Sequence, residues 1–195
     1  MSLREKEILR MRQKGIEEKY NSIYGSHVFI GRQYTEFMRE EIYPPMVSIM
    51  LPKSFMDMPV MLARQKYPSE HRPTVIKTSP DLSINFAFQY FEERITEEEL
   101  VKTARYFYGV FQKYYPGYEY LEFDHGCYGE EEEHILAWYI YSNPTITETV
   151  FNLHAFTAVE GRLLQGIFNA PEKSFYHWKP YVFEVFKSIT SQRVK

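Results

Sequence analysis

Between Leu82 and Tyr90 the sequence alternates between large apolar residues and smaller or polar ones, and this pattern limits the fold more than any other feature. Successive side chains of a β-strand point to opposite faces, so the alternation predicts a strand with one buried face. The buried side would carry Leu82, Ile84, Phe86, Phe88 and Tyr90, with Ser83, Asn85, Ala87 and Gln89 on the other side. The chain must therefore build a sheet that is covered on at least one face.

A helix is predicted soon after that strand. Thr96 and Glu99 have the spacing of a capping box, in which each side chain bonds a free backbone N–H group at the start of a helix. A stripe of apolar residues at helical spacing follows, formed by Leu100, Ala104, Phe107, Phe111 and Tyr114. The stripe predicts that one face of the helix packs on the sheet, and the helical pattern ends before Pro116 and Gly117.

The last third of the chain predicts an antiparallel meander and a closing helix. Four extended runs follow one another, the first two around an acidic turn and the last two around Glu160 and Gly161. Consecutive strands that are joined by tight turns pair antiparallel. The runs are residues 118 to 128, 135 to 141, 147 to 159 and 162 to 169. A helical stripe that would cover one face of the sheet begins after Ser174 and carries Trp178, Val182, Val185, Phe186 and Ile189.

The first third of the chain predicts short elements. Pro59 precedes a short helix over residues 60 to 66, because proline is tolerated at the first turn of a helix. Short extended runs are predicted at residues 28 to 30, 34 to 38, 46 to 51 and 74 to 78. The whole pattern predicts one α+β domain over residues 25 to 195, in which an antiparallel β-sheet is flanked by helices.

Residues 1 to 24 are predicted to form an extra N-terminal helix that acts as an arm. The segment contains helix formers and no proline, but its apolar stripe is thin. Such a helix either docks loosely on its own domain or packs on another subunit. The sequence leaves both alternatives open.

The order of these elements resembles the PsbP-like fold family over about residues 46 to 192. The features that carry the resemblance are Leu51-Pro52 in an opening strand, a short helix ending at Tyr67-Pro68, the alternating strand, the long helix, the turn at Glu160-Gly161 and a last helix with Trp178 that ends near Ser188-Ile189. Members of the family include an extrinsic photosystem subunit, a nuclear import factor that binds a small GTPase, and bacterial lipoproteins. The resemblance implies an α/β/α sandwich and a non-enzymatic binding or assembly role, and no functional residue carries over.

Charge and cysteine content exclude several partners. The formal net charge is −3 with mixed signs along the chain, whereas nucleic-acid binding selects a basic surface, so we expect no nucleic-acid partner. The chain has no apolar run long enough to span a bilayer and no charged-then-apolar leader, so we expect no membrane association. Cys127 is the single cysteine and cannot form an internal disulfide. These features predict a cytoplasmic protein.

Residues 124 to 134 contain the densest set of potential metal ligands. His125, Cys127 and His134 could hold zinc or another transition metal, with Asp124 and residues 130 to 133 nearby, which would indicate a metal-dependent enzyme. The alternative is a solvated acidic loop, because strand alternation places Asp124 on the face opposite to His125 and Cys127. We adopt the second interpretation and predict no metal and no other cofactor. His154 is interpreted as a histidine bonded to its neighbours in the sheet, and no catalytic residue is identified.

Tyrosine and phenylalanine are abundant, at 17 and 15 residues, and the aromatic groups exceed what one helix stripe can bury. Exposed tyrosine and tryptophan are favoured at protein interfaces and in small-ligand clefts, although the same rings could simply enlarge the core. We therefore predict a protein-binding or assembly module, with a small-ligand binder as the alternative. The partner would be another protein, or a second copy bound through the N-terminal helix. The residues predicted for the partner or ligand surface are Tyr108, Tyr115, Tyr118, Tyr176 and Trp178.

Overall fold

The computed structural model describes residues 22 to 44, 46 to 131 and 133 to 191. Within them, the helices are α1 (Val60–Lys66), α2 (Glu97–Tyr114) and α3 (Glu172–Lys187). The strands are β1 (Val28–Ile30), β2 (Gln33–Thr35), β3 (Phe37–Tyr43), β4 (Val47–Pro52), β5 (Met56–Asp57), β6 (Val75–Thr78), β7 (Asn85–Arg94), β8 (Glu119–Tyr128), β9 (His134–Pro144), β10 (Thr149–Val159), β11 (Arg162–Pro171) and β12 (Thr190–Ser191). None of these helices is both long and apolar enough to cross a bilayer.

The main sheet has seven antiparallel strands in the order β5-β6-β7-β11-β10-β9-β8. The predicted meander of the last third is confirmed, because β8, β9, β10 and β11 are neighbours in chain order. Glu160 and Gly161 form the turn between β10 and β11, with φ angles of 50° and 69°. Two residues with positive φ give a turn whose twist matches that of the paired strands. The predicted α+β class with an antiparallel sheet is thus confirmed.

Helices cover both faces of the main sheet. On one face, α3 packs against the alternating strand and its neighbours, and the small sheet β12-β4-β3 joins the same core. That core includes Phe86, Phe88, Leu153, Leu164, Phe168, Trp178, Val182 and Phe186. On the other face, α2 buries Leu100 and Ala104 against β9, β10 and β11, and α1 buries Ala63 against β6 and β7. Apolar alternation along the strands therefore supplies one core under α3 and two smaller ones on the opposite face, under α2 and under α1.

The alternating strand begins later than its sequence pattern predicts. Leu82 has φ of 64° and lies in a turn, and β7 starts at Asn85. The Asp81 carboxylate accepts hydrogen bonds from the Ser79 hydroxyl at 2.5 Å and from the Ser83 backbone N–H at 3.2 Å. Short polar side chains that bond the nearby backbone compete with strand pairing, and here they form the turn instead.

The predicted N-terminal arm lies outside the described residues except for residues 22 to 24. Ile23 is fully buried in the α3 core, and its backbone N–H donates to Glu184 Oε2 at 3.2 Å. The Ser22 hydroxyl lies 3.5 Å from the same carboxylate oxygen. The described chain is therefore fixed to α3 from its first residues.

Candidate protein-binding surface

Two of the predicted tyrosines lie together where α2 ends. The Tyr115 backbone N–H donates to the Phe111 carbonyl at 2.9 Å, which closes the last helical turn, and the Tyr118 N–H donates to the Tyr115 carbonyl at 3.1 Å. Pro116 and Gly117 between them stop the helix and reverse the chain. This turn places the ring of Tyr118 under that of Tyr115, with centroids 5.0 Å apart and planes 9° apart.

The stack continues onto the sheet. Tyr118 lies 5.5 Å from Tyr141 of β9, centroid to centroid, and the two planes differ by 7°. The single Tyr120 hydroxyl hydrogen is shared between the Phe111 carbonyl oxygen at 2.9 Å and the Tyr115 carbonyl oxygen at 3.1 Å. These bonds tie the end of α2 to β8, and stacking holds the rings of Tyr115 and Tyr118 over Tyr141. We call Tyr114, Tyr115 and Tyr118 the tyrosine surface.

Two rings of the tyrosine surface are exposed to solvent, and the third is packed between its neighbours. Tyr114 and Tyr115 are 73% and 44% exposed, and Tyr118 is half-buried between Tyr115 and Tyr141. Burial raises the pKa of Tyr118, with the neighbouring Tyr115 adding to the effect. The hydroxyl of Tyr118 therefore stays protonated at neutral pH.

A buried histidine lies under the same stack. His154 of β10 is 3% exposed, and its Nδ1 atom lies 3.0 Å from the Tyr139 hydroxyl and 3.1 Å from Gln165 Nε2. Its Nε2 atom lies 3.3 Å from the Tyr141 hydroxyl. Burial lowers the pKa of His154 to about 3, so the ring is neutral at physiological pH. The interpretation of His154 as a core histidine bonded to its neighbours is confirmed.

Burial also shifts the pKa values of the tyrosines around His154. Burial raises the pKa of Tyr139 and Tyr141 far above the ordinary tyrosine value, and neighbouring tyrosine hydroxyls raise it further. With this amide orientation Gln165 donates to Nδ1, so Nε2 carries the ring proton and donates it to the Tyr141 hydroxyl. The cluster of His154, Tyr139 and Tyr141 packs beneath the aromatic stack.

The remaining predicted surface residues do not join this surface. Tyr108 is half-buried against Tyr120, Phe123 and Tyr139, so it packs α2 onto the sheet. Tyr176 is 59% exposed but lies on α3, next to Phe151.

For Trp178 the prediction of a surface residue is wrong. Its side chain is 7% exposed and contacts Phe37, Phe55, Phe86 and Phe168 in the α3 core. The residue belongs to the apolar stripe of α3, and a stripe of that kind turns towards the sheet. The five predicted residues are therefore divided between the two faces of the sheet.

The potential metal ligands remain apart. His125 and Cys127 lie on one face of β8, as predicted, and both are exposed. His134 Nδ1 lies 3.6 Å from Glu97 Oε1, and its Nε2 lies 3.7 Å from Glu133 Oε1. Across the residues that the structure describes, no three histidine, cysteine or acidic side chains converge in a group that could hold a metal ion.

A cavity formed by other described residues is separate from the tyrosine surface. It has a volume of about 310 Å³ and lies between α1 and β6, open to solvent. Its lining includes Asp57, Val60, Ala63, Arg72 and Ile76. A small-ligand cleft would require concave walls around the tyrosines, and none of the three residues of the tyrosine surface is among those that line this cavity.

Two contributors to the surface are not among the five predicted residues. The sequence pattern places Tyr114 both on the apolar stripe of α2 and among the surplus aromatic groups, and it places Tyr141 only in an extended run. The signal for Tyr114 is its position directly before Tyr115-Pro116-Gly117, because a helix that ends there exposes its last turn. The signal for Tyr141 is its alternation with Ile140 and Ser142 in β9, which places it on the α2 face.

Comparison with known proteins concerns the fold. No protein-family profile matches the chain, and no curated protein matches its sequence. Among solved structures, the chain is similar to the solution structure of cyanobacterial PsbP (CyanoP) from Synechocystis sp. PCC 6803. The TM-score is 0.56 at 12% identity, and the match covers 80% of this chain and 92% of that chain. A crystal structure from Bacteroides thetaiotaomicron VPI-5482 has a TM-score of 0.47 at 10% identity, covering 76% of this chain and 46% of that one. The chain therefore has a PsbP-like fold, which confirms the resemblance predicted from the order of its elements.

Proposed function

We propose that this protein is a non-enzymatic binding or assembly module that recognises another protein through the tyrosine surface. The observation that carries the proposal is the ordered stack of Tyr115, Tyr118 and Tyr141, with an exposed outer ring. Tyrosine is enriched at protein interfaces because it combines a large apolar area with a polar hydroxyl. The surface therefore has the chemistry of an interface centre.

The rigidity of the surface favours tight recognition. An interface side chain that becomes fixed on binding costs about 0.5–1.5 kcal/mol in lost freedom. Here Tyr118 is already fixed between two rings, and the Tyr120 hydroxyl fixes the turn that carries it. Much of the ordering has thus occurred before the partner arrives.

A role without catalysis is supported by the state of the buried polar groups. The neutral ring of His154 uses both nitrogens in contacts with neighbouring side chains, and its low pKa makes it a poor proton acceptor at neutral pH. We place the partner among cytoplasmic proteins as part of the proposal. The exposed free thiol of Cys127 is compatible with a reducing compartment.

The test is capture of partners from native lysate on the tagged full chain. Replacing both Tyr114 and Tyr115 with serine removes the two exposed rings while leaving Tyr118 on the sheet. We expect the partner bound by the wild-type chain to be lost, because truncation of a tyrosine that is a hot spot of an interface costs about 2 kcal/mol or more. Quantitative mass spectrometry of the retained proteins gives the measurement.

The matched control replaces Tyr106 and Tyr176 with serine. Both are more than half exposed, but they lie outside the tyrosine surface. Retention of the partner by this control, together with its loss from the first variant, supports the proposal. Equal retention by both variants contradicts it. Circular dichroism establishes that all three proteins are folded.

A further inference from the structure

Strand β8 forms one edge of the main sheet. It is ten residues long and pairs with β9 on its inner side, and among the described strands none pairs with its outer side. The opposite edge strand, β5, has only two residues. An edge strand presents N–H and C=O groups that can pair with a strand from another chain. β8 also follows the tyrosine surface directly in the chain.

The direction of the free backbone groups can be read from one bond. The His125 N–H donates to the Asp124 side-chain Oδ1 at 2.8 Å. In an antiparallel pair, alternate residues of a strand direct their backbone groups towards the neighbour. His125 therefore belongs to the outward set with Phe123 and Cys127, whereas Gly126 belongs to the set that pairs with β9.

The surroundings of this edge are acidic. The chain has no lysine or arginine between Lys113 and Arg162. Among the described residues of β8 and the turn after it, five carboxylates are exposed: Glu119, Asp124, Glu130, Glu131 and Glu133. Glu122 is half-buried, and its Oε2 atom forms an ion pair with Lys179 Nζ at 2.9 Å. The exposed charged residues of β8 itself, Glu119 and Asp124, are thus of one sign, whereas Arg105 of α2 lies 4.3 Å from the centre of the Phe123 ring on the α2 face.

This charge decides between two occupants. If β8 paired with β8 of a second copy, the acidic side chains of both strands would be brought to one junction, and like charges that lie directly opposite each other across strands are destabilising. A basic strand would instead place opposite charges together. Charged side chains and bulges are common protections against self-pairing, and β8 has a register shift between Tyr120 and Glu122.

We infer that the partner contributes an extended segment with alternating basic and apolar residues, which adds to the main sheet along β8. The inference rests on the proposed protein-binding function and specifies its partner. The basic residues would lie beside Asp124, on the α3 face of the sheet. The apolar residues would lie beside Phe123, which packs under Tyr108 and Arg105 on the α2 face. The segment would displace the Asp124 carboxylate from the His125 N–H.

The test uses a phage-displayed library of random peptides of about 10 residues, the length of a strand, selected on the full chain. We expect enriched peptides to alternate lysine or arginine with apolar residues. One enriched peptide is then synthesised, together with a version in which glutamine replaces each basic residue. Binding of the first is expected to slow hydrogen exchange at the amides of Phe123, His125 and Cys127. The glutamine version is expected to bind about tenfold more weakly or worse.

Two variants of the full chain locate the contact. Cys127→Pro removes an outward N–H and leaves the pairs with β9 in place, and Asp124→Lys reverses the charge at the edge. Both are expected to weaken peptide binding about tenfold or more, and unchanged thermal unfolding shows that each is folded. Failure to enrich basic alternating peptides, exchange protection elsewhere, or unchanged binding by both folded variants overturns the inference.

The outcomes separate this inference from the proposed function. If Cys127→Pro and Asp124→Lys retain the lysate partner while the Tyr114→Ser/Tyr115→Ser variant loses it, the tyrosine surface stands and strand addition is overturned. If the tyrosine variant retains the partner while the β8 variants lose it, the proposed surface fails and the edge is the contact.

Discussion

Acidification from neutral pH to about pH 4.5 is expected to lower the free energy of unfolding by roughly 2–3 kcal/mol through His154 alone. In the folded protein the pKa of this buried ring is about 3, compared with an ordinary value of 6.5. Below pH 6.5 the unfolded chain therefore binds a proton that the folded chain excludes. Each further pH unit costs about 1.4 kcal/mol until the pH approaches the folded pKa.

Urea unfolding at a series of pH values, followed by circular dichroism, measures this loss. The matched control is His154→Gln, which keeps a neutral polar side chain in the sheet and removes the titrating ring. The five other histidines and all carboxylates are present in both proteins, so the difference between the two pH profiles isolates His154. Parallel profiles between pH 6.5 and pH 4.5 would show that the ring is protonated in the folded protein and would contradict the prediction.

Replacing Gly166 with alanine is expected to lower the free energy of unfolding by about 1–3 kcal/mol. Gly166 lies in β11 on the face covered by α3, between Phe88 and Ala155 of the neighbouring strands. A Cβ atom there would lie 2.3 Å from Cε1 of Phe186. Phe186 is fully buried against Phe86 and Phe88, so its ring has no free space to enter.

Thermal or urea unfolding of three further variants, Gly109→Ala, Phe186→Leu and Gly166→Ala/Phe186→Leu, tests the cause. Gly109→Ala adds a methyl group on α2 where nothing lies within 4 Å, and it is expected to stabilise the protein by about 0.5–1 kcal/mol because alanine favours helix. In the double variant Gly166→Ala/Phe186→Leu, the smaller side chain should recover part of the loss, with a coupling of about 0.5–3 kcal/mol. Additive effects of the two substitutions would show that the ring is not the obstacle.

The sequence predicted the parts of the fold that depend on neighbouring residues. Thr96 and Glu99 form the expected capping box at the start of α2, and Glu160-Gly161 forms the expected turn between two long strands. The small sheet could not be predicted, because it pairs β12 at the end of the described chain with β4 near its start. Arg39 supports that pairing with bonds to the Ser188 carbonyl and the Thr190 hydroxyl. Such distant contacts leave no local pattern.

Only part of the candidate surface could be predicted, because some of its residues are placed by local sequence and others by distant packing. Tyr115 and Tyr118 flank Pro116-Gly117, and this local turn was sufficient to place both near the end of α2. Trp178 and Tyr176 are two residues apart on α3, yet one is in the core and the other is exposed. Their assignment depends on which stripe of the helix faces the sheet. Composition indicated an excess of aromatic rings, and only the packing of α3 shows where each ring lies.

Photo-cross-linking in the native cells tests the central claim most directly. A photoreactive phenylalanine analogue replaces Tyr115 in one strain and Tyr176 in another, because both side chains are exposed but only Tyr115 belongs to the tyrosine surface. A discrete adduct with another protein from position 115, and none from position 176, is the predicted result. Adducts of equal yield from both positions, or none from position 115, would contradict recognition of a protein partner through the tyrosine surface.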